Sequence, residues 1–212
     1  KKTPDVKDKN VKHDGAKGDW LHLQFGQEKD SKNEADFWGY ECKNHTSNKT
    51  TWGDWTPNYI LFHDDSSGIN RDEFIRTFGL PNENNRFSWS GKEVPSRHED
   101  ISEYGQYMYV TEESDIEIRY DYFLDKRKNK EKINPKNLKI KNLLLAKWIG
   151  YESNNDTKKT SLEKKVTNKF NQKGWFKCVL GNDGNYEKII FGNPITFETW
   201  IKYVKSGDIY FD

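Results

Sequence analysis

The segment Ala35-Asp-Phe-Trp-Gly-Tyr-Glu-Cys-Lys43 places two carboxylates and one ammonium within a short aromatic stretch. Its aromatic residues favour an extended strand, because large rings pack well on a pleated sheet. Glu41 and Lys43 are two positions apart and therefore project from one face of that strand. Asp36 has the opposite parity, so it joins them only if the chain bends between them. Gly39 is the residue that permits such a bend.

The trio of Asp36, Glu41 and Lys43 suits one kind of chemistry. Carboxylate oxygens suit Mg²⁺, which keeps several waters and prefers one or two protein carboxylates together with substrate phosphate oxygens. A lysine beside them orients the attacking water or stabilises the pentavalent phosphate. The segment therefore predicts a metal-dependent phosphodiester hydrolase in which all three residues are catalytic and the two carboxylates bind the metal. The alternative is a solvated edge strand, since the chain holds 35 Lys and Arg and 34 Asp and Glu.

Length and composition bound the class of protein. A chain of 212 residues fits one large domain or two small ones. With no internal repeat and no low-complexity linker, we expect a flexible arm over residues 1–14 and a single nuclease domain over residues 15–212. No apolar run is long enough to span a membrane and no signal peptide is apparent, so a cytoplasmic location is expected. Cys42 and Cys178 lack metal-ligand spacing and are predicted to be reduced structural thiols.

The net charge of +1 hides an uneven distribution. Between residues 126 and 177, roughly sixteen basic residues stand against four acidic ones. A local basic surface attracts a polyanion, because each neutralised phosphate releases counterions. The predicted phosphate contacts are Lys126, Arg127, Lys128 and Lys173. The alternative is a solvated, lysine-rich face.

The rest of the sequence predicts both helices and strands. Helices are expected over residues 19–25, 71–78, 161–170 and 196–204, with Gly26 ending the first and Asn70 capping the second. Strands are expected over residues 58–63, 105–111, 116–123, 175–180, 186–191 and 208–211, whereas residues 138–148 fit either. This pattern predicts an α+β fold with a mixed central sheet flanked by helices and with added hairpins.

Two stretches carry a resemblance to a known family. The run Gly15-Ala-Lys-Gly-Asp-Trp-Leu-His-Leu-Gln-Phe-Gly26, followed by Asn33-Glu-Ala-Asp-Phe-Trp-Gly-Tyr-Glu-Cys-Lys43, resembles the MutH-like type II restriction endonucleases of the MvaI/BcnI/LlaMI group. The resemblance implies a PD-(D/E)XK nuclease core, with Mg²⁺ on the two carboxylates and the lysine serving the nucleophilic water. Ala35 stands where the family usually has proline. His22 stands where the preceding helix often has a glutamate.

The resemblance also implies an activity and partners. We expect a Mg²⁺-dependent endonuclease that cleaves double-stranded DNA at a short specific sequence, as a monomer, with a cognate methyltransferase in the same system. One alternative is a DNA-binding module without catalysis. Another is a carbohydrate-binding domain rich in aromatic residues, which the eight tryptophans favour. Trp52, Trp55 and Trp89 are left open between stacking on bases and packing in the protein core.

Overall fold

The computed structural model describes residues 16–26, 32–44, 50–81, 86–89, 97–152 and 160–211. Within these ranges the helices are α1 (Ala16–Gln24), α2 (Arg71–Phe78), α3 (Lys130–Ile133), α4 (Leu162–Phe170) and α5 (Phe197–Ser206). The strands are β1 (Tyr40–Lys43), β2 (Tyr59–Ile60), β3 (Leu80–Pro81), β4 (Phe87–Ser88), β5 (Tyr104–Val110), β6 (Ile116–Asp125), β7 (Leu143–Trp148), β8 (Gly174–Leu180) and β9 (Tyr186–Gly192). The arm predicted over residues 1–14 lies outside the described residues.

The chain divides into two compact units. Unit 1 is formed by Lys1–Trp55 and Lys165–Thr196, and unit 2 by Thr56–Lys164 and Phe197–Asp212. Each unit is therefore built from two separate stretches of sequence. The single domain expected over residues 15–212 stays a prediction.

Unit 1 holds a mixed three-stranded sheet in the order β1-β8-β9. β1 runs parallel to β8, with Tyr40 opposite Gly174 and Lys43 opposite Lys177. β8 and β9 form the predicted antiparallel hairpin. Its buried core consists of Leu21, Phe37, Cys42, Phe176 and Cys178. Both cysteines are free thiols, as predicted.

Unit 2 holds a four-stranded antiparallel sheet in the order β2-β7-β6-β5, together with the small β3-β4 pair. Side chains from the larger sheet are almost completely removed from water, among them Met108, Ile116, Tyr120 and Leu145. A core of this kind supplies most of the hydrophobic stabilisation of the unit. The α+β class predicted from the sequence is confirmed.

Helix α2 begins and ends where the sequence predicts. The Asn70 side chain accepts a hydrogen bond from the Glu73 backbone N–H at 3.0 Å, and the Glu73 carboxylate accepts one from the Asn70 N–H at 2.9 Å. This reciprocal capping box satisfies donors that the first helical turn leaves unpaired. Phe74 and Phe78 then fix the inner face of the helix in the core, each 1% exposed.

Two predicted elements differ from the structure, and a third stretch that the sequence left open is a strand. Only Tyr59–Ile60 of residues 58–63 is a strand, because Leu61–His63 turns into a 3₁₀ helix. Residues 208–211 form no strand: the Ile209 N–H instead donates to the Tyr203 carbonyl oxygen near the end of α5, at 3.0 Å. The ambiguous residues 138–148 contain strand β7, which pairs with β6 on one side and β2 on the other. Among the described residues, no helix is long and apolar enough to traverse a lipid bilayer.

Candidate active site

A tight turn precedes β1 and redirects the chain within the predicted motif. The Phe37 N–H donates to the Tyr40 carbonyl oxygen at 2.9 Å, and the Tyr40 N–H donates to the Phe37 carbonyl oxygen at 2.8 Å. Trp38 and Gly39 between them have φ angles of 50° and 86°. Left-handed values at both central residues are the geometry of a two-residue hairpin turn that matches strand twist. The bend predicted at Gly39 is confirmed.

The turn brings Asp36 back alongside β1. Its Oδ2 accepts a hydrogen bond from the Cys42 backbone N–H at 2.7 Å. His22, on α1, places its Nε2 3.8 Å from the same oxygen. The helix before the motif therefore contacts the carboxylate through the imidazole of His22.

The Glu41 carboxylate is 2% exposed and its two oxygens have different surroundings. Oε1 lies 2.8 Å from the Lys43 Nζ and 3.2 Å from the Lys169 Nζ. Oε2 is buried and has no hydrogen-bond partner among the described residues. A buried carboxylate oxygen without a partner costs free energy, because it has lost its hydration and gained nothing in return. Oε2 is therefore a vacant acceptor at the centre of the site.

Lys169 is the site residue that the sequence did not single out. It lies on α4, its side chain is 18% exposed, and it approaches Glu41 from a part of the chain remote in sequence. The next residue, Phe170, presents its ring to the Lys43 Nζ at 5.4 Å from the centroid. The structural reason for its position is that α4 leads directly into β8, which pairs with β1.

Burial governs the protonation of the site. It raises the pKa of Glu41, with Asp36 adding to the effect while Lys43 and Lys169 oppose it. Burial lowers the pKa of Lys43, with Lys169 adding to the effect while Glu41 opposes it. Each group is thus pushed towards its neutral form despite the ion pair, because desolvation outweighs attraction. An additional positive charge near Oε2 would stabilise the ionised carboxylate.

The donor atoms fit a hard divalent cation. Asp36 and Glu41 contribute oxygen, and one of those oxygens is unpaired. In the part of the chain that the structure describes, no group of three or more His, Cys, Asp or Glu side chains could hold a metal. Mg²⁺ needs no such cage, since it retains waters and uses substrate phosphate oxygens beside one or two carboxylates.

The four residues predicted to contact DNA differ in their exposure and in the partners that they already have. Lys126 and Lys128 are exposed in the loop after β6, in unit 2. Between them, Arg127 donates from Nη2 to Asp125 Oδ2 at 2.6 Å and from Nη1 to the Thr77 carbonyl oxygen at 2.7 Å. A phosphate would have to compete with that buried carboxylate for the guanidinium. Lys173 is exposed in unit 1, and its backbone N–H donates to the carbonyl oxygen of Gly39 at 2.8 Å.

The three tryptophans left open by the sequence all have partners within the protein. The Trp52 ring packs against Phe170, with centroids 4.9 Å apart. The Trp55 indole N–H donates to the Asn33 side chain, and the Trp89 indole N–H donates to Gln106, each at 2.8 Å. All three side chains are partly buried, so packing accounts for them.

Comparisons with known proteins show the family and the fold of the chain. The family described as LlaMI restriction endonuclease matches residues 2–212. The chain is 42% identical to the type II restriction enzyme ScrFI of Lactococcus lactis subsp. cremoris, with 99% of this chain and 82% of that enzyme covered. The solved complex of the restriction endonuclease MvaI with its cognate DNA substrate matches with a TM-score of 0.58 at 14% identity, covering 95% of this chain and 74% of MvaI. That structural likeness shows the fold, which is the restriction-endonuclease fold expected from the sequence.

Proposed function

The chain belongs to the LlaMI restriction endonuclease family, and from that premise we propose that it cleaves double-stranded DNA at a short specific sequence with Mg²⁺. The observation that carries the proposal is Glu41, whose Oε1 is held by two lysines while its buried Oε2 is unpaired. The ion pair alone leaves the buried Oε2 uncompensated, whereas a bound divalent cation would compensate it. Family membership also sets aside the carbohydrate-binding alternative.

The side chains have separate roles in the proposed reaction. Asp36 and Glu41 would hold the ion, through the carboxylate beside the Cys42 N–H and through the vacant Oε2. When bound, Mg²⁺ supplies charge to the scissile phosphate and lowers the pKa of water. Lys43 orients the attacking water or stabilises the negative charge that develops on the phosphate. Lys169 positions Glu41 by fixing Oε1, so that Oε2 remains available.

Plasmid digestion tests the activity. We expect cleavage with Mg²⁺ and none with a chelator, and complete loss of cutting in Lys43→Ala with an unchanged circular dichroism spectrum. Lys164→Ala is the matched control, because Lys164 lies on α4 with its side chain 54% exposed and forms an ion pair with the exposed Glu152 at 3.4 Å. Undiminished cutting by Lys43→Ala would refute the assignment. Sequencing the ends of the digested DNA gives the recognition sequence and the stagger.

We further propose that the enzyme acts as a monomer in the cytoplasm beside a methyltransferase of the same specificity. A nuclease that cuts a short sequence would otherwise destroy the DNA of its own cell, so the host sites need a modification that blocks cleavage. Sedimentation of the purified chain tests the oligomeric state. Resistance of host DNA, and digestion of the same DNA after amplification, tests the modification.

A further inference from the structure

Trp38, in unit 1, is an exposed aromatic residue that has no role in the proposed reaction. It stands at the tip of the turn before β1 and is 80% exposed. All eight tryptophans lie in the described residues, and the other seven are buried or partly buried. The indole meets the buried Phe37 ring with centroids 6.3 Å apart, but it gains little from the core because most of its apolar area stays in water.

The backbone at Trp38 is also unfavourable for its side chain. A φ of 50° lies in the left-handed region, where a residue with a Cβ atom costs roughly 1–2 kcal/mol. Turns of this kind prefer Asn or Asp followed by Gly. Here the second position, Gly39, conforms and the first does not. A residue whose backbone is strained and whose side chain adds little to the core is a candidate for a role in function.

The residues that follow Trp38 in the turn lie in a mixed aromatic and basic surface centred on Tyr40. The Lys173 Nζ lies 6.0 Å from the ring centroid of Tyr40, and the exposed Phe191 ring contacts Tyr40 with centroids 5.5 Å apart. Lys173 is tied to the turn through its backbone hydrogen bond to the Gly39 carbonyl oxygen. We call Trp38, Tyr40, Lys173 and Phe191 the turn patch.

The position of the patch identifies its ligand. Trp38 lies at the tip of the turn that connects Asp36 to Glu41, and the Asp36 carboxylate is hydrogen-bonded to the Cys42 N–H at the base of that turn. The nucleotides that flank a phosphate at the two carboxylates would therefore lie next to the turn. A nucleotide offers a flat base and an apolar sugar face to an aromatic ring, and a phosphate to a lysine. The turn patch offers both kinds of group.

We propose that Trp38 contacts the DNA substrate, packing its indole against the sugar and base of a nucleotide beside the scissile phosphate. The inference rests on the proposed function and extends it, because it assigns substrate binding to a residue outside the metal and lysine cluster. Lys173 pairs with an adjacent phosphate in the same contact. The strain at Trp38 persists because the side chain serves DNA rather than folding.

The test measures stability and DNA binding in the same variants. The probe is a labelled duplex containing the sequence at which the wild-type enzyme cuts, with Ca²⁺ replacing Mg²⁺. We expect Trp38→Asn and Trp38→Ala to bind at least about five-fold more weakly, the lower range for losing one aromatic–base stack. Trp38→Phe should recover part of the affinity. Tyr203→Ala, which removes another exposed aromatic ring from α5, is the control and should bind like the wild type.

The melting temperature separates a functional role from a structural one. Because Asn suits the left-handed position, Trp38→Asn should melt at or above the wild-type temperature while binding DNA less well. A second readout is tryptophan fluorescence: DNA should quench the wild-type signal more than that of Trp38→Phe. Wild-type affinity and cleavage in Trp38→Asn would overturn this inference alone. If the wild-type chain neither binds nor cuts duplex DNA, the proposed function falls and this inference with it.

Discussion

At the level of single residues, burial and ion pairing act on Glu41 in opposite directions. It is buried beside Asp36 and two ammonium groups, yet burial still raises its pKa above the ordinary 4.5. The folded protein therefore holds this proton more tightly than the unfolded chain does. The stability gained from the neutral carboxyl group is fully present below pH 4.5, the ordinary pKa. It is lost as the pH rises through the higher pKa that Glu41 has in the folded protein.

A thermal comparison checks that sign. In the presence of a chelator, the wild type should lose melting temperature relative to Glu41→Gln as the pH rises from about 4.5 towards neutrality. Mg²⁺ should then raise the melting temperature of the wild type more than that of the variant, because only the carboxylate gains an ion. If the difference in melting temperature between the wild type and Glu41→Gln does not change with pH, this prediction is wrong.

Lys169 gives a second prediction at this scale. Lys169→Met removes one of the two ammonium groups on Glu41 Oε1, so the carboxylate is free to reorient. Loss of a residue that orients a metal ligand typically costs about 10- to 100-fold in activity or metal affinity. We expect a slower cleavage rate and a higher Mg²⁺ concentration for half-maximal cutting, both partly restored by Lys169→Arg. Lys164→Met should change neither quantity.

The turn before β1 is the element that assembles the site. Gly39→Ala places a Cβ atom at φ 86°, and the nearest atom to that Cβ is the Cγ of the exposed Lys173, at 3.3 Å. The lysine side chain is flexible, so backbone strain decides the outcome. We expect the free energy of unfolding to fall by about 1 kcal/mol, which lowers the melting temperature by roughly 2–4 °C for a chain of this size.

The control for that substitution is Gly18→Ala in α1. Gly18 is helical, and nothing lies within 4 Å of the added methyl group. Alanine should therefore stabilise the helix by up to about 1 kcal/mol. Equal responses at Gly18 and Gly39 would show that the turn has no special conformational demand. Cleavage should fall only in Gly39→Ala, because Asp36 depends on that turn.

Local signals explain which elements the sequence predicts well. Helix α2 was located from its capping residue and terminal glycine, since both act within a few positions of the helix end. The approach of Asp36 to Glu41 followed from parity and one glycine. Lys169 could not be found in this way, because its contact depends on the parallel pairing of β1 with β8. No short-range pattern specifies a parallel partner so remote in sequence.

At the scale of the whole molecule, the net charge of +1 gives little general attraction for DNA. Binding then depends on local lysines, and each phosphate contact adds to the salt dependence. We expect Lys126→Ala and Lys128→Ala each to reduce the slope of log affinity against log salt by about 1, with no change in melting temperature. Lys202→Ala, at an exposed position on α5, should leave the slope unchanged.

Arg127 should behave differently from the two lysines beside it. Its guanidinium neutralises Asp125, whose side chain is fully buried. Removing one partner of a buried ion pair lowers the free energy of unfolding by about 3–5 kcal/mol, because the remaining charge is buried without a partner. Arg127→Ala should therefore lower the melting temperature, whatever its effect on DNA. A stable Arg127→Ala with a reduced salt slope would assign this arginine to DNA instead.

The separation of β1 from β8 in the sequence has a consequence for biosynthesis. While the ribosome is still translating the first stretch of unit 2, Thr56–Lys164, the nascent polypeptide already carries Asp36, Glu41 and Lys43, but Lys169 and β8 have not been made. A pairing between such remote segments forms late, because the whole intervening loop must close first. Translation products that terminate before Lys169 therefore lack part of the proposed catalytic centre, and we expect them not to cut the DNA of the cell that makes them.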